Sequence, residues 1–163
     1  MKLFTVSFFG HRIVSEFREA EERVEALIHT LLLENEYVEF LVGRNGDFDQ
    51  IVTSVVKRQQ RRVRDDNSAL IWILPYPTAE LRDNLESFEA YYDEIEICEA
   101  ASRSHPKSAI QIRNQQMVDR SDLVVFYVDH SSGGAYQTLR YAQRKNKDHL
   151  NLAYFRRDWR ELL

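Results

Sequence analysis

Phe40-Leu41-Val42-Gly43-Arg44-Asn45-Gly46-Asp47-Phe48-Asp49 decides the fold. An apolar run stops at Gly43, a second glycine follows at Gly46, and Asp49 opens a helical pattern. The stretch reads as a strand, a tight turn and a helix N-terminus. Such a turn lets backbone approach a ligand, and the unpaired N–H groups of the helix favour an anion. The same sequence of events occurs twice more. Phe4–Phe9 runs into Gly10-His11-Arg12, and Leu123–Val128 runs into Asp129-His130-Ser131-Ser132-Gly133-Gly134. These three turns hold all 5 glycines of the chain. Glycines gather in turns anyway, but three such turns, each following a strand, favour a binding site.

Working outward, residues 3–9 form the first predicted strand, apolar nearly throughout, as suits a strand buried on both faces. Residues 15–34 read as a helix capped by Ser15, with Phe17, Ala20, Val24, Leu27 and Leu31 as its apolar stripe. Strands follow at 37–42, 69–74, 123–128 and 149–155, making five. Helices are predicted over 48–64, over 107–119 with a cap near Ser108, and over 135–146. Pro75-Tyr76-Pro77 ends the third strand, because proline cannot donate to a ladder. The acidic, aromatic segment 78–105 reads as part helix and part loop, and the tail 156–163 as packing or fraying. Alternating strands and helices predict an α/β fold, Rossmann-like and doubly wound. Its sheet is expected to be mainly parallel, with helices on both faces. In that order strands one and four lie side by side, strand two lies next to strand one, and the three glycine turns meet at one sheet edge.

Bulk properties narrow the function. The 163 residues suit one domain, and 44% hydrophobic with 29% charged is a globular balance. A net charge of −4 gives no global signal for nucleic acid. The basic run Lys57–Arg64 falls late in a helix, where cations suit the negative end of the dipole. The single cysteine, Cys98, excludes an internal disulfide and fits a reducing, cytoplasmic setting. Its acidic surroundings argue against a nucleophile. Met1-Lys2-Leu3-Phe4 leads straight into a strand, and no apolar run reaches membrane-spanning length.

The candidate ligand-binding residues are Gly10, His11 and Arg12 in the first turn and Gly43, Arg44, Asn45, Gly46 and Asp49 in the second. Arg113 and Asn114 are added from the helix before strand four, and Ser131, Ser132, Gly133 and Gly134 from the turn after it. The spacing is neither Gly-x-Gly-x-x-Gly nor a P-loop. Asp49 reads as a helix cap or as a ribose acceptor. Ser131–Gly134, with Thr138, reads as a phosphate cradle. Arg113 can fork onto a phosphate. The five histidines, His11, His29, His105, His130 and His149, show no paired spacing with cysteine or carboxylates, so no metal site is expected.

These residues resemble the SLOG superfamily, and within it the stand-alone bacterial DUF1273-like proteins. The resemblance rests on Phe8-Phe9-Gly10-His11-Arg12, Phe40–Gly43 with Gly46–Asp49, Leu74-Pro75-Tyr76, Ala109-Ile110 with Arg113–Met117, Ser121-Asp122, Gly133-Gly134-Ala135 with Tyr141-Ala142, and Asn151-Leu152. It spans nearly the whole chain. It implies a Rossmann-like sheet that binds a nucleotide or nucleotide-derived ligand. The superfamily also includes Smf-related DNA-processing proteins and the lonely-guy phosphoribohydrolases. The latter carry Arg-Lys-x-x-Met and Pro-Gly-Gly-x-Gly-Thr-x-x-Glu. Arg113-Asn114-x-x-Met117 is close to the first. The second survives as Gly133-Gly134, with Ser132, Tyr136, Gln137 and Arg140 at the proline, inner glycine, threonine and glutamate. An arginine cannot replace that catalytic carboxylate, so the resemblance implies ligand binding more than hydrolysis.

The expected function is therefore a cytoplasmic sensor or regulator that binds a nucleotide-type ligand without robust catalysis. One alternative is a nucleoside monophosphate N-glycosidase using Asp47 or Asp49, with Arg113 also a catalytic candidate. The other is a DNA-associated protein using Arg58, Arg61, Arg62 and Arg64. No cofactor is expected, nor a membrane or nucleic-acid partner. A homo-oligomer stays open.

Overall fold

The apolar run at the N-terminus forms strand β1, Leu3–Gly10, and the polar linker after it hands over to helix α1, Phe17–Glu34. The computed structural model describes residues 1–154. The predicted tail 156–163, and Phe155 of the fifth predicted strand, lie outside the described residues. Strand β2, Tyr37–Val42, leads into α2, Asp47–Arg62, and β3, Ser68–Leu74, follows. The segment left open by the sequence resolves into two short helices, α3 (Ala79–Asp83) and α4 (Leu85–Tyr91), then strand β4 (Glu94–Ile97) and a single turn, α5 (Glu99–Ser102). Helix α6, Pro106–Arg120, precedes β5, Leu123–Tyr127. Helix α7, Gly134–Arg144, precedes β6, His149–Asn151, and a 3-10 turn covers Leu152–Tyr154.

The six strands form one sheet in the order β4-β3-β2-β1-β5-β6, with every neighbouring pair parallel. Five strands were expected, and β4 is the addition. Its Glu-Ile-Glu-Ile alternation pairs with Ile71–Leu74 at the sheet edge, where one polar face is tolerated. The chain winds outward from β1 through β2 and β3 to β4, then returns through α6 to place β5 on the other side of β1. The winding reverses between β1 and β5, the switch point at which such sheets hold ligands beyond their strand C-termini.

The pleat separates two cores. Val6, Phe8, Phe40, Val42 and Val125 face α1 and α2, where Leu27, Ile28, Leu31, Ile51 and Val55 are fully or almost fully buried. Phe9, Leu41, Ile71 and Phe126 face α6 and α7, against Met117, Val118 and Ala142. Each fully buried aliphatic side chain contributes about 1.5–3 kcal/mol. Truncating one at the centre, Leu27→Ala for example, would cost about 2–5 kcal/mol. Ser7, buried on β1, is satisfied by the Met117 carbonyl and the Ser121 hydroxyl, at 3.1 and 2.6 Å.

The helix starts differ from those expected. Ser15 does not cap α1: Glu16 holds the N-cap position, without a side-chain cap bond. Helix α6 begins before Ser108, with proline in its first turn and the His105 ring accepting from the Lys107 N–H at 3.1 Å. Helix α2 begins at Asp47, one residue before the predicted start at 48, and Gly46, not Asp49, holds its N-cap position.

Candidate functional site

The three glycine turns meet at the C-terminal edge of β1, β2 and β5 and enclose a cavity of about 530 Å³. Gly10, His11 and Arg12 line it from the first turn, and Gly43, Asn45 and Asp49 from the second. Arg113 and Asn114 line it from α6, and Ser132, Gly133 and Gly134 from the third turn. Phe8, Phe9, Ile13 and Ile110 add apolar surface. A pocket of this size with an apolar lining and a few convergent polar groups suits a small molecule.

Arg113 is the centre of the polar part. Its side chain is buried, 4% exposed, and Nη1 donates to the Ile73 carbonyl at 3.2 Å. Nε and Nη2 both donate to Asn114 Oδ1, at 3.1 and 2.9 Å. Turned with its oxygen toward Arg113, the Asn45 amide accepts from Nη2 at 3.2 Å and donates to the Arg44 carbonyl. Among the described residues, no carboxylate lies within ion-pair distance of the guanidinium. Burial draws its pKa below the usual arginine value, and Asp49 opposes that pull. The fold thus holds a buried cation in place with neutral acceptors only.

Asp49 is the single carboxylate among the described lining residues. Its Oδ2 accepts from the Asn45 N–H at 2.8 Å, reaching back from the first turn of α2. The residue is partly accessible, yet desolvation of its carboxyl dominates and raises its pKa above the aspartate norm. The Asn45 amide and the Arg113 charge work against that rise. Asn114 Nδ2 donates to Thr138 Oγ1 at 3.1 Å, and Thr138 Oγ1 donates to the Gly134 carbonyl at 2.9 Å. Thr138 is buried, so it ties Arg113 to the third turn and takes no part in a cradle.

At the rim, His11 stacks on His130, ring centroids 3.6 Å apart and planes 10° apart. His11 Nε2 accepts from the Asp129 N–H at 3.1 Å and lies 3.3 Å from Asp129 Oδ1. The same carboxylate oxygen is 2.9 Å from His130 Nδ1. Burial, then His130, lower the His11 pKa, while Asp129 raises it. The spacing argument against histidine clusters missed this group, because its members come from the ends of two strands that become neighbours only in the sheet.

Other candidates lie elsewhere. Arg44 turns away from the cavity, pairs with Glu80 at 3.0 Å and sits over the Phe88 ring at 5.0 Å. Gly46 and Asp47 also face this second, polar cavity of about 490 Å³. Asp47 latches the first turn: its Oδ2 accepts from the Val14 N–H at 3.0 Å, and its N–H donates to the Arg12 carbonyl at 2.8 Å. Ser131 is exposed and lines neither cavity.

The glycines divide by role. A Cβ on Gly10 would lie 2.3 Å from the Phe48 ring, and one on Gly46 would lie 2.4 Å from Arg12 Cα. Both are packing glycines, so valine at Gly46 would disturb the fold itself and would not report on ligand contact alone. A Cβ on Gly43 would meet Arg113 Nη1 at 3.3 Å and Asp49 Oδ2 at 3.4 Å, inside the site. Gly133 has φ +91°, a conformation that disfavours any side chain, and open space around it. Cys98 is buried, and its Sγ donates to Gln116 Oε1 at 2.9 Å.

No known protein-family model matches the chain, and no curated protein matches its sequence. No helix among the described residues is long and apolar enough to cross a membrane.

Proposed function

We propose that the protein binds a phosphorylated nucleotide or nucleotide-derived ligand in the crevice at the switch point, as a sensor or regulator. One observation carries this reading: Arg113 is buried in the cavity wall, and among the described residues no carboxylate lies within ion-pair distance of it. A buried charge is costly unless it is compensated, and an anionic ligand supplies the compensation. The planar guanidinium suits a phosphate, the Gly133-Gly134 turn offers the free N–H groups of α7, and Arg12 stands at the mouth. The apolar lining suits a base or a sugar face. SLOG-type membership, suggested by the motifs, agrees with this reading.

The test is a thermal-shift screen of nucleoside mono-, di- and triphosphates beside their nucleosides. Binding to the native state raises the melting temperature in proportion to RT ln(1 + [L]/Kd). A rise with phosphorylated compounds and none with nucleosides is expected. No rise with any of them would remove the reading.

A second reading has one specific observation in its favour. Asp49 is a carboxylate inside the cavity with a raised pKa, as a general acid or base requires. Asp49, not Asp47, would then replace the missing glutamate in glycosidic cleavage, since Asp49 lines the crevice and Asp47 faces the second cavity. Release of free base from nucleoside monophosphates, lost in Asp49→Asn, would establish it. The DNA reading is weaker, because Arg58 is paired with Glu21 and Glu25, and Arg64 with Asp66.

A further inference from the structure

At the rim of the crevice three donor atoms meet: His11 Nε2, Asp129 Oδ1 and His130 Nδ1, all within 4.8 Å of one another. The carboxylate oxygen is 3.3 Å from the first nitrogen and 2.9 Å from the second. From these distances we propose that His11, Asp129 and His130 form a binding site for a divalent transition-metal ion of the zinc type. The site is separate from the proposed phosphate contacts and does not depend on them.

Two imidazoles and one carboxylate are a donor set that selects among cations. Nitrogen ligands suit zinc and its neighbours, whereas magnesium and calcium take oxygen ligands. Three protein ligands leave further coordination positions open, the pattern of sites that receive an outside group. Two of the three donors belong to side chains that line the cavity, so an ion held here borders the space where a ligand would lie.

The donors are unequally fixed. His11 is 8% exposed and is anchored at the end of β1 through its N–H, which donates to the Tyr127 carbonyl. Asp129 and His130 are about half exposed and follow β5. Loading the ion requires two local changes. The His130 ring must tilt, because the in-plane lone pairs of two nearly parallel rings do not meet at one point. The Asp129 N–H must also give up His11 Nε2 to the metal. Both changes fall on the exposed loop after β5, where water can take the freed amide. Without a metal, Asp129 bridges the stacked imidazoles, its N–H donating to His11 Nε2 and its carboxylate bonded to His130 Nδ1, and the experiment separates the two.

Metal-free protein is titrated with Co²⁺ and then Zn²⁺, with no phosphorylated ligand present. The expected result is one Co²⁺ per chain, with visible ligand-field bands that Zn²⁺ abolishes. His130→Ala and Asp129→Asn, both at exposed positions, should each weaken binding about tenfold or more, since two donors remain of three. Their metal-free melting temperatures should match the wild type, and His149→Ala should bind Co²⁺ normally. The proposal is overturned by the absence of saturable binding below ~1 mM, by unchanged affinity in either variant, or by an equal loss in His149→Ala.

Discussion

Arg113 is where one residue's surroundings make a functional demand. Its acceptors are a carbonyl and two side-chain amides, none of them charged, and the fold spends Asn45, Asn114 and Thr138 on positioning it. Arg113→Ala should weaken a phosphorylated ligand by about 1.5–3 kcal/mol, the scale of a charge-assisted hydrogen bond, and leave its nucleoside nearly unchanged. Calorimetry on both ligands checks this, and equal losses would make Arg113 a purely structural residue. Gly10 behaves in the opposite way. It lines the cavity, yet a Cβ added to it would run into the Phe48 side chain. Gly10→Ala should destabilise the fold by about 1–3 kcal/mol through overpacking, read as a lower urea midpoint. Phe48→Leu in the same chain should recover part of that loss. Sequence could mark Gly10, Gly43 and Gly46 as special but could not say why. A glycine that admits a ligand and one that admits a neighbouring ring look the same until the packing is known. Arg44 stood among the candidate ligand contacts for the same reason: only the packing shows that it points to Glu80 and the Phe88 ring.

At the scale of elements, strands and long helices were legible because each has one dominant period. Leu3–Gly10 and Leu123–Tyr127 are almost unbroken apolar runs, and α1 and α2 carry clear stripes. Strand β4 was not legible. Four residues of alternating glutamate and isoleucine within an acidic segment become a strand only because β3 offers an open edge. Helix starts were displaced for a related reason, since a cap is chosen by the chain's path into the helix and Pro106 sets that path ahead of Ser108. The start of α7 carries a prediction. Gly133 precedes it at φ +91° with space around its Cα, so Gly133→Ala should cost stability through backbone strain of order 1–3 kcal/mol, with no steric clash. In a ligand titration followed by amide NMR, Gly133, Gly134 and Ala135 should shift in the wild type. Shifts confined to Arg58–Arg64 would move the functional surface to the basic face of α2.

For the whole molecule, alternation pointed to a parallel α/β sheet, and the doubly wound class supplied the placement of β2 and β5 on either side of β1; the crevice at the reversal of β4-β3-β2-β1-β5-β6 follows from that placement. What alternation could not show was the charge state of the crevice. Because burial raises the Asp49 pKa, the folded protein holds that proton more tightly than the unfolded chain does. The group therefore costs stability as pH rises from the ordinary aspartate range through its folded value. Asp49→Asn should lack this dependence. Its stability relative to the wild type should improve as pH climbs through that window, as urea unfolding at a series of pH values would show. Equal pH dependence in both proteins would mean that the carboxyl is well solvated. The latch at Asp47 has another consequence, one of timing. Its amide is bonded to the Arg12 carbonyl and its carboxylate to the Val14 amide, so the first two turns part only when both bonds break. The amides of Val14 and Asp47 then share one opening event, and their hydrogen-exchange protection factors should match. Two backbone protons far apart in sequence become paired clocks for the breathing of the crevice floor.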